Sequence, residues 1–170
     1  MEKQNLKQQL VKTHNTYTDY VLALNKRDFN FAPPEKWNAG QHLQHILISV
    51  TRLNKAICNE KYIEPLANRR ALMSYDMLVE VYLAKIKEGA KATAPFIPEP
   101  VTIEQRPQLV KNVQTAVAEL CLQLDTYREE QLDALTIPHP LLGKITLREM
   151  IFFTIKHAEH HYELTKKYLP

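Results

Sequence analysis

Between Pro107 and about residue 128 the apolar residues Leu109, Val113, Ala116, Val117, Leu120, Cys121, Leu124 and Tyr127 recur at intervals of three and four. That spacing places them on one face of an α-helix, and a strand, which alternates every second residue, cannot use it. A helix with one apolar stripe must bury it against other helices or a sheet. The rest of the chain must therefore supply matching faces.

It supplies several. Leu6, Leu10, Val11, Tyr17, Val21 and Leu24 mark a first helix over roughly 3–25. The segment FNFAPPEKW (29–37) breaks it with two prolines. Asn38 and Gln41 have capping-box spacing, followed by Leu43, Ile46, Leu47, Val50, Leu53 and Ile57, so a second helix is predicted over 39–58. Ser74 caps a third, marked by Leu78, Tyr82 and Ile86 and ending near Gly89.

The stretch TAPFIPEPVTIEQRP (93–107) is too rich in proline to be helical and is expected to cross one end of a bundle as an extended connection that shapes a site rim. Pro107 suits a first helical position. A loop containing TIPHPLLGKIT follows, and a Thr146/Glu149 capping box opens a last helix to about Tyr168. No strand alternation or internal repeat competes. The expected fold is all-α: an antiparallel four-helix bundle with long crossover connections and a fifth helical element, one domain over 1–170.

The last helix contains KHAEHHYEL (156–164), with three of the chain's seven histidines. At 100° per residue, Met150, Thr154, His157, His161, Leu164 and Tyr168 fall within about 80° of one another, on the stripe expected to face the core. His160 lies on its flank beside Phe153, and Glu159 and Glu163 face elsewhere. Two imidazoles aimed into an apolar interior need partners, because an unpaired buried polar group costs about 1–3 kcal/mol. A shared metal ion satisfies both rings. Backbone carbonyls or a wet pocket would also do so.

A third ligand would decide, and the second helix offers two candidates in QHLQHI, His42 and His45. Periodicity slightly favours His42, nearer the centre of its apolar stripe; spacing alone does not choose. His14 and His139 are expected at the boundary, Trp37 as a packing anchor and the pair Arg69 and Arg70 as solvated surface.

Other classes find little support. Lys and Arg number 22 against 19 Asp and Glu, interspersed, so no nucleic-acid surface is indicated. Cys58 and Cys121 stand far apart with no CxxC, and are expected as small buried hydrophobes. No segment approaches a membrane span and the N-terminus lacks a signal-type apolar core, so a cytoplasmic location is expected. There is no Ser/His/Asp order, phosphate loop or HExxH.

Together, WNAGQHLQHI (37–46) and HPLLGKITLREMIFFTIKHAEHH (139–161) resemble the DinB/YfiT-like superfamily of bacterial metal-binding four-helix bundles. The resemblance lies in a tryptophan before helix two, a histidine eight residues later, and an H-P-x-x-G-x-x-T segment leading into a helix with HxxxH. It implies a metal held by His45, His157 and His161, in place of the periodicity's preference for His42.

A three-histidine site of this kind leaves a coordination position open, as catalytic sites do, and nitrogen ligands suit Zn, Ni, Fe or Mn. The catalytic group would be a metal-bound water or thiolate. Resembled members include S-transferases and isomerases using low-molecular-weight thiols, and others labelled hydrolases. The resemblance thus implies a metal-dependent enzyme acting on a small molecule, with bacillithiol-like S-transfer ahead of hydrolysis. A non-catalytic, stress-related metal-binding protein that uses its bundle faces as a homodimer is the competing class. Leu164 stands where many relatives have a polar glutamine or histidine, so the substrate chemistry is left open.

Overall fold

A computed structural model describes residues 1–67 and 70–169. Its helices are α1 (Lys3–Ala23), short α2 (Lys26–Asn30), α3 (Ala39–Ile57), α4 (Tyr75–Lys87), α5 (Arg106–Asp125), short α6 (Gln131–Ala134) and α7 (Leu147–Tyr168). Among the described residues no helix is long and apolar enough to cross a membrane.

The starts follow local chemistry. Asn38 with Gln41, and Thr146 with Glu149, form reciprocal capping boxes, and the Ser74 hydroxyl accepts from Met77 N. Each satisfies amide groups that the first helical turn leaves orphaned. At the end of α4, Gly89 takes φ 95°, a left-handed conformation suited to glycine, and Ala90 N donates back to Lys85 O.

Helix α3 packs against α5 and α7, and α1 packs against the same two, closing a ring of four around Leu6, Leu10, Leu43, Ile46, Leu120, Leu124 and Ile151. Burying each such side chain contributes about 1.5–3 kcal/mol. Helix α4 packs on α7.

The directions of the four helices can be read from side-chain contacts. Lys7 reaches Asp125 near one end of the α1–α5 pair, and Arg106 reaches Val21 O at the other, so these two run antiparallel. His42 meets His161 and His45 meets His157, so α3 and α7 are antiparallel too. By contrast, Arg148 contacts Met1 O while Tyr17 contacts Thr165, which makes α1 and α7 parallel neighbours. Gly40 faces Val101 just before α5, and Asn54 bonds Ala116 O, so α3 and α5 also run the same way. The physical reason is connection length. Residues 58–105 form a crossover long enough to return the chain to the end where α3 began, whereas a short loop would have forced a reversal.

The two parallel pairs correct the expectation of an antiparallel bundle, and a small sheet departs from the expected all-α fold. Strands β1 (Glu64–Pro65), β2 (Leu135–His139) and β3 (Gly143–Thr146) form an antiparallel sheet in that order. These runs are too short for a period-two signal to emerge, yet Ile137 and Ile145 pair directly across the hairpin and are both buried. The hairpin delivers Thr146 to the start of α7.

Glu149, 1% exposed, locks that start. Its carboxylate accepts from Thr146 N at 2.7 Å, from Met73 N at 2.8 Å and from both terminal nitrogens of Arg70. Burial raises its pKa, but Arg70 and the two amides outweigh it and hold the carboxyl below its usual range. Arg70 is therefore a clamp on α7 and not free surface; Arg69 lies outside the described residues.

Two more expectations change. Cys58 is exposed at the end of α3, while Cys121 is buried as expected. His14, expected at the boundary, is 1% exposed, because the α1 face that carries it turns fully into the ring.

Candidate metal centre

Helices α3 and α7 cross so that His45, His157 and His161, all buried, face one another. One ligand atom from each lies within 4.8 Å of the other two. The Nε2 of His45 is 3.0 Å from that of His157, and the Nε2 of His161 is 3.1 Å from it. Tetrahedral zinc, with Zn–N near 2.0–2.1 Å, sets neighbouring nitrogens about 3.3 Å apart. Small ring movements would therefore admit an ion.

Ring tautomers support the fit. A carbonyl can only accept, so the contact of His45 Nδ1 with Phe96 O at 2.6 Å places a proton on Nδ1 and leaves Nε2 bare toward its neighbours. Three imidazole nitrogens at this spacing need something positive between them, either one proton on His157 shared two ways or a cation. A proton can point well at only one acceptor, whereas a cation serves all three.

The electrostatics keep the rings neutral. Burial lowers the pKa of His45 despite the opposing Phe96 bond. It also holds His157 and His161 well below the usual imidazole range, and the neighbouring histidines push the same way. Neutral imidazole is the ligating form. Among the described residues no carboxylate or cysteine joins the group.

The remaining histidines sort differently. His42 does not join the three; its Nδ1 lies 2.8 Å from the Nδ1 of His161, on the far side of that ring from the cluster. His160 stands on the flank as expected, edge-on to Tyr82 with ring centres 5.7 Å apart. His139 Nδ1 accepts from Leu141 N and Leu142 N and so organises the β2–β3 turn, while its ring packs on Phe153 with centres 4.1 Å apart. Burial pushes it down to about 4.

Trp37 is more than a packing anchor. Its ring centre lies 5.1 Å from His45, 5.5 Å from His42 and 6.1 Å from His161, forming one wall of the cluster. Phe153 stacks on His157 at 4.9 Å from another side. The core stripe of α7 is also shifted from its expected line. Thr165 is buried, bonding Tyr17 Oη at 2.8 Å and His161 O at 2.8 Å, while Leu164 is only half-buried.

The proline-rich crossover touches the site through Phe96, as its expected place at the rim suggested, but the atom that matters is a main-chain carbonyl. No side-chain pattern could have announced it. Glu159 engages Tyr75 and Lys156, and Glu163 engages Lys166, so both face away from the cluster.

No curated protein matches the chain. A family model described as the DinB superfamily matches residues 9–165, a span that runs from α1 through all three clustered histidines to Thr165. With the match covering nearly the whole chain, this protein belongs to the DinB superfamily.

Proposed function

We propose that this protein is a metal-dependent enzyme in which His45, His157 and His161 hold one divalent ion and leave a coordination position for a small-molecule substrate. The observation that carries it is the convergence of three buried, neutral imidazoles from two helices with no fourth protein ligand among the described residues. A borderline ion such as Zn, Ni, Fe or Mn would supply Lewis-acid activation of a thiol or water there.

The chain's own residues do the rest. The Phe96 carbonyl holds the His45 ring, while Trp37 and Phe153 supply apolar walls that limit water. Thiol S-transfer with a bacillithiol-like cosubstrate is favoured over hydrolysis. A base beside the ligands would favour water as nucleophile, and the two carboxylates that flank the histidines on α7, Glu159 and Glu163, are engaged elsewhere. A cytoplasmic setting, where such thiols stay reduced, accords with Cys58 and Cys121 as free thiols.

The test is elemental analysis of untagged protein, then a screen of low-molecular-weight thiols with electrophilic acceptors alongside simple esters and amides. Stoichiometric metal with thiol-dependent turnover is expected. Turnover of esters or amides without thiol would make it a hydrolase, and stoichiometric metal with no turnover would make it a binding protein.

A further inference from the structure

We infer that His42 is a positioning residue that fixes the ring of His161 for metal binding, by accepting the Nδ1–H of His161 and so leaving His161 Nε2 bare toward the ion. The inference rests on the three-histidine reading above and adds a residue outside it.

The two nitrogens of an imidazole sit on opposite edges of the ring. His161 turns Nε2 into the cluster, 3.1 Å from His157 Nε2, and turns Nδ1 outward, 2.8 Å from His42 Nδ1. At that distance two ring nitrogens must share one proton: two bare lone pairs repel, and two N–H groups collide. If the proton belonged to His42, a neutral His161 would carry its own on Nε2, inside the cluster, where it blocks ligation. Only the opposite choice serves an ion. His42 must then be protonated at Nε2, the atom that has no hydrogen-bond partner among the described residues.

The arrangement is built, not incidental. His42 is 3% exposed, enclosed by Trp37 with ring centres 5.5 Å apart and by Tyr168 at 6.3 Å, so its ring has little freedom to swing away. It stands one turn before His45 on α3. The same helix thus supplies one ligand directly and orients another on α7. His45 and His161 receive matching treatment, the first from the Phe96 carbonyl and the second from an imidazole nitrogen.

Two substitutions separate this role from simple packing. His42→Leu keeps similar bulk but removes the acceptor; His42→Asn places an amide oxygen at the position of Nδ1. Zn²⁺ affinity is measured for both, for wild type and for His157→Ala by competition with a chromophoric chelator, with far-UV circular dichroism to establish folding. A folded His42→Leu is expected to bind Zn²⁺ on the order of 10–100-fold more weakly, with His42→Asn close to wild type. In Zn²⁺-loaded wild type, two-bond ¹H–¹⁵N spectra should show the proton on Nδ1 of His161 and on Nε2 of His42, a readout that needs no variant. Wild-type affinity in folded His42→Leu, equal weakening by Asn and Leu, or a proton on His42 Nδ1 would each overturn the assignment while leaving the three ligands standing. If wild type binds no Zn²⁺, or His157→Ala binds it as tightly, the three-histidine reading itself fails.

Discussion

His45 donates its Nδ1–H to the main-chain carbonyl of Phe96, 51 residues away, at 2.6 Å. The turn that carries this carbonyl is held by Arg52, whose Nε donates to the preceding carbonyl, Pro95 O, at 3.1 Å and whose guanidinium lies 5.2 Å from the Phe96 ring centre. Arg52 touches no site histidine in these contacts, yet it fixes the turn that orients one. Arg52→Ala is expected to weaken metal binding by on the order of tenfold with the ligands intact, the effect usual for outer partners of ligating histidines. Chelator competition on folded variant measures it. An unchanged affinity would show that the turn holds its place without Arg52.

Because the clustered rings come from two helices, an ion there would cross-link α3 to α7. His45→Ala, His157→Ala and His161→Ala are each expected to abolish or sharply weaken metal binding, and His160→Ala to leave it unchanged. Free metal at a hundred times its Kd should stabilise the fold by about 2.7 kcal/mol. Thermal melts with and without chelator would show this as a shift in Tm for wild type that vanishes in His157→Ala. An equal shift in both would place the ion elsewhere.

Much of this site was legible because helical periodicity converts spacing into direction. His157 and His161 face inward at the angles their positions dictate, and the caps at Asn38, Ser74 and Thr146 lie where side-chain oxygens precede apolar stripes. Periodicity alone leaned toward His42 over His45, and the structure explains the ambiguity. Both rings do face α7, one from within the cluster and one from behind it. What the sequence could not carry were contacts that depend on tertiary placement. The Phe96 carbonyl is a backbone atom, the Arg70–Glu149 clamp joins residues 79 apart, and the parallel pairing of α1 with α7 follows from how a long crossover happens to return. The small sheet escaped for a related reason, since strands this short are stabilised by their partners more than by their own pattern.

Gly40 offers a test of how the crossover is seated. A Cβ there would lie 2.7 Å from Phe29 Cζ, closer than side chains tolerate, and 3.0 Å from Val101 Cβ, an unusually tight contact. The missing side chain lets Phe29 and the crossover press onto α3 five residues before His45. Gly40→Ala should destabilise by about 1–3 kcal/mol through overpacking, against the slight gain alanine brings inside a helix. Urea denaturation gives the value, and adding Phe29→Leu should recover part of the loss. Independent, additive effects of the two substitutions would show that the close approach carries no strain.

His14 sets an acid limit on the metal-free fold. Its Nδ1–H donates to Leu10 O at 2.7 Å, its Nε2 has no partner among the described residues, and the residue is 1% exposed. Burial pushes the imidazole down to about 4, against the smaller opposing effect of the Leu10 carbonyl. Below about pH 6.5 the unfolded chain takes up a proton here that the folded chain refuses until about pH 4. The unfolded state therefore binds more protons across that window, and stability falls as pH falls through it, by about 3 kcal/mol for this group alone. Urea denaturation at pH 7 and pH 4.5 should show the loss in wild type. His14→Leu fills the same space without a titrating nitrogen, so its stability should drop distinctly less between the two pH values. An identical drop in both proteins would place the acid sensitivity in other groups and leave His14 without a role in it.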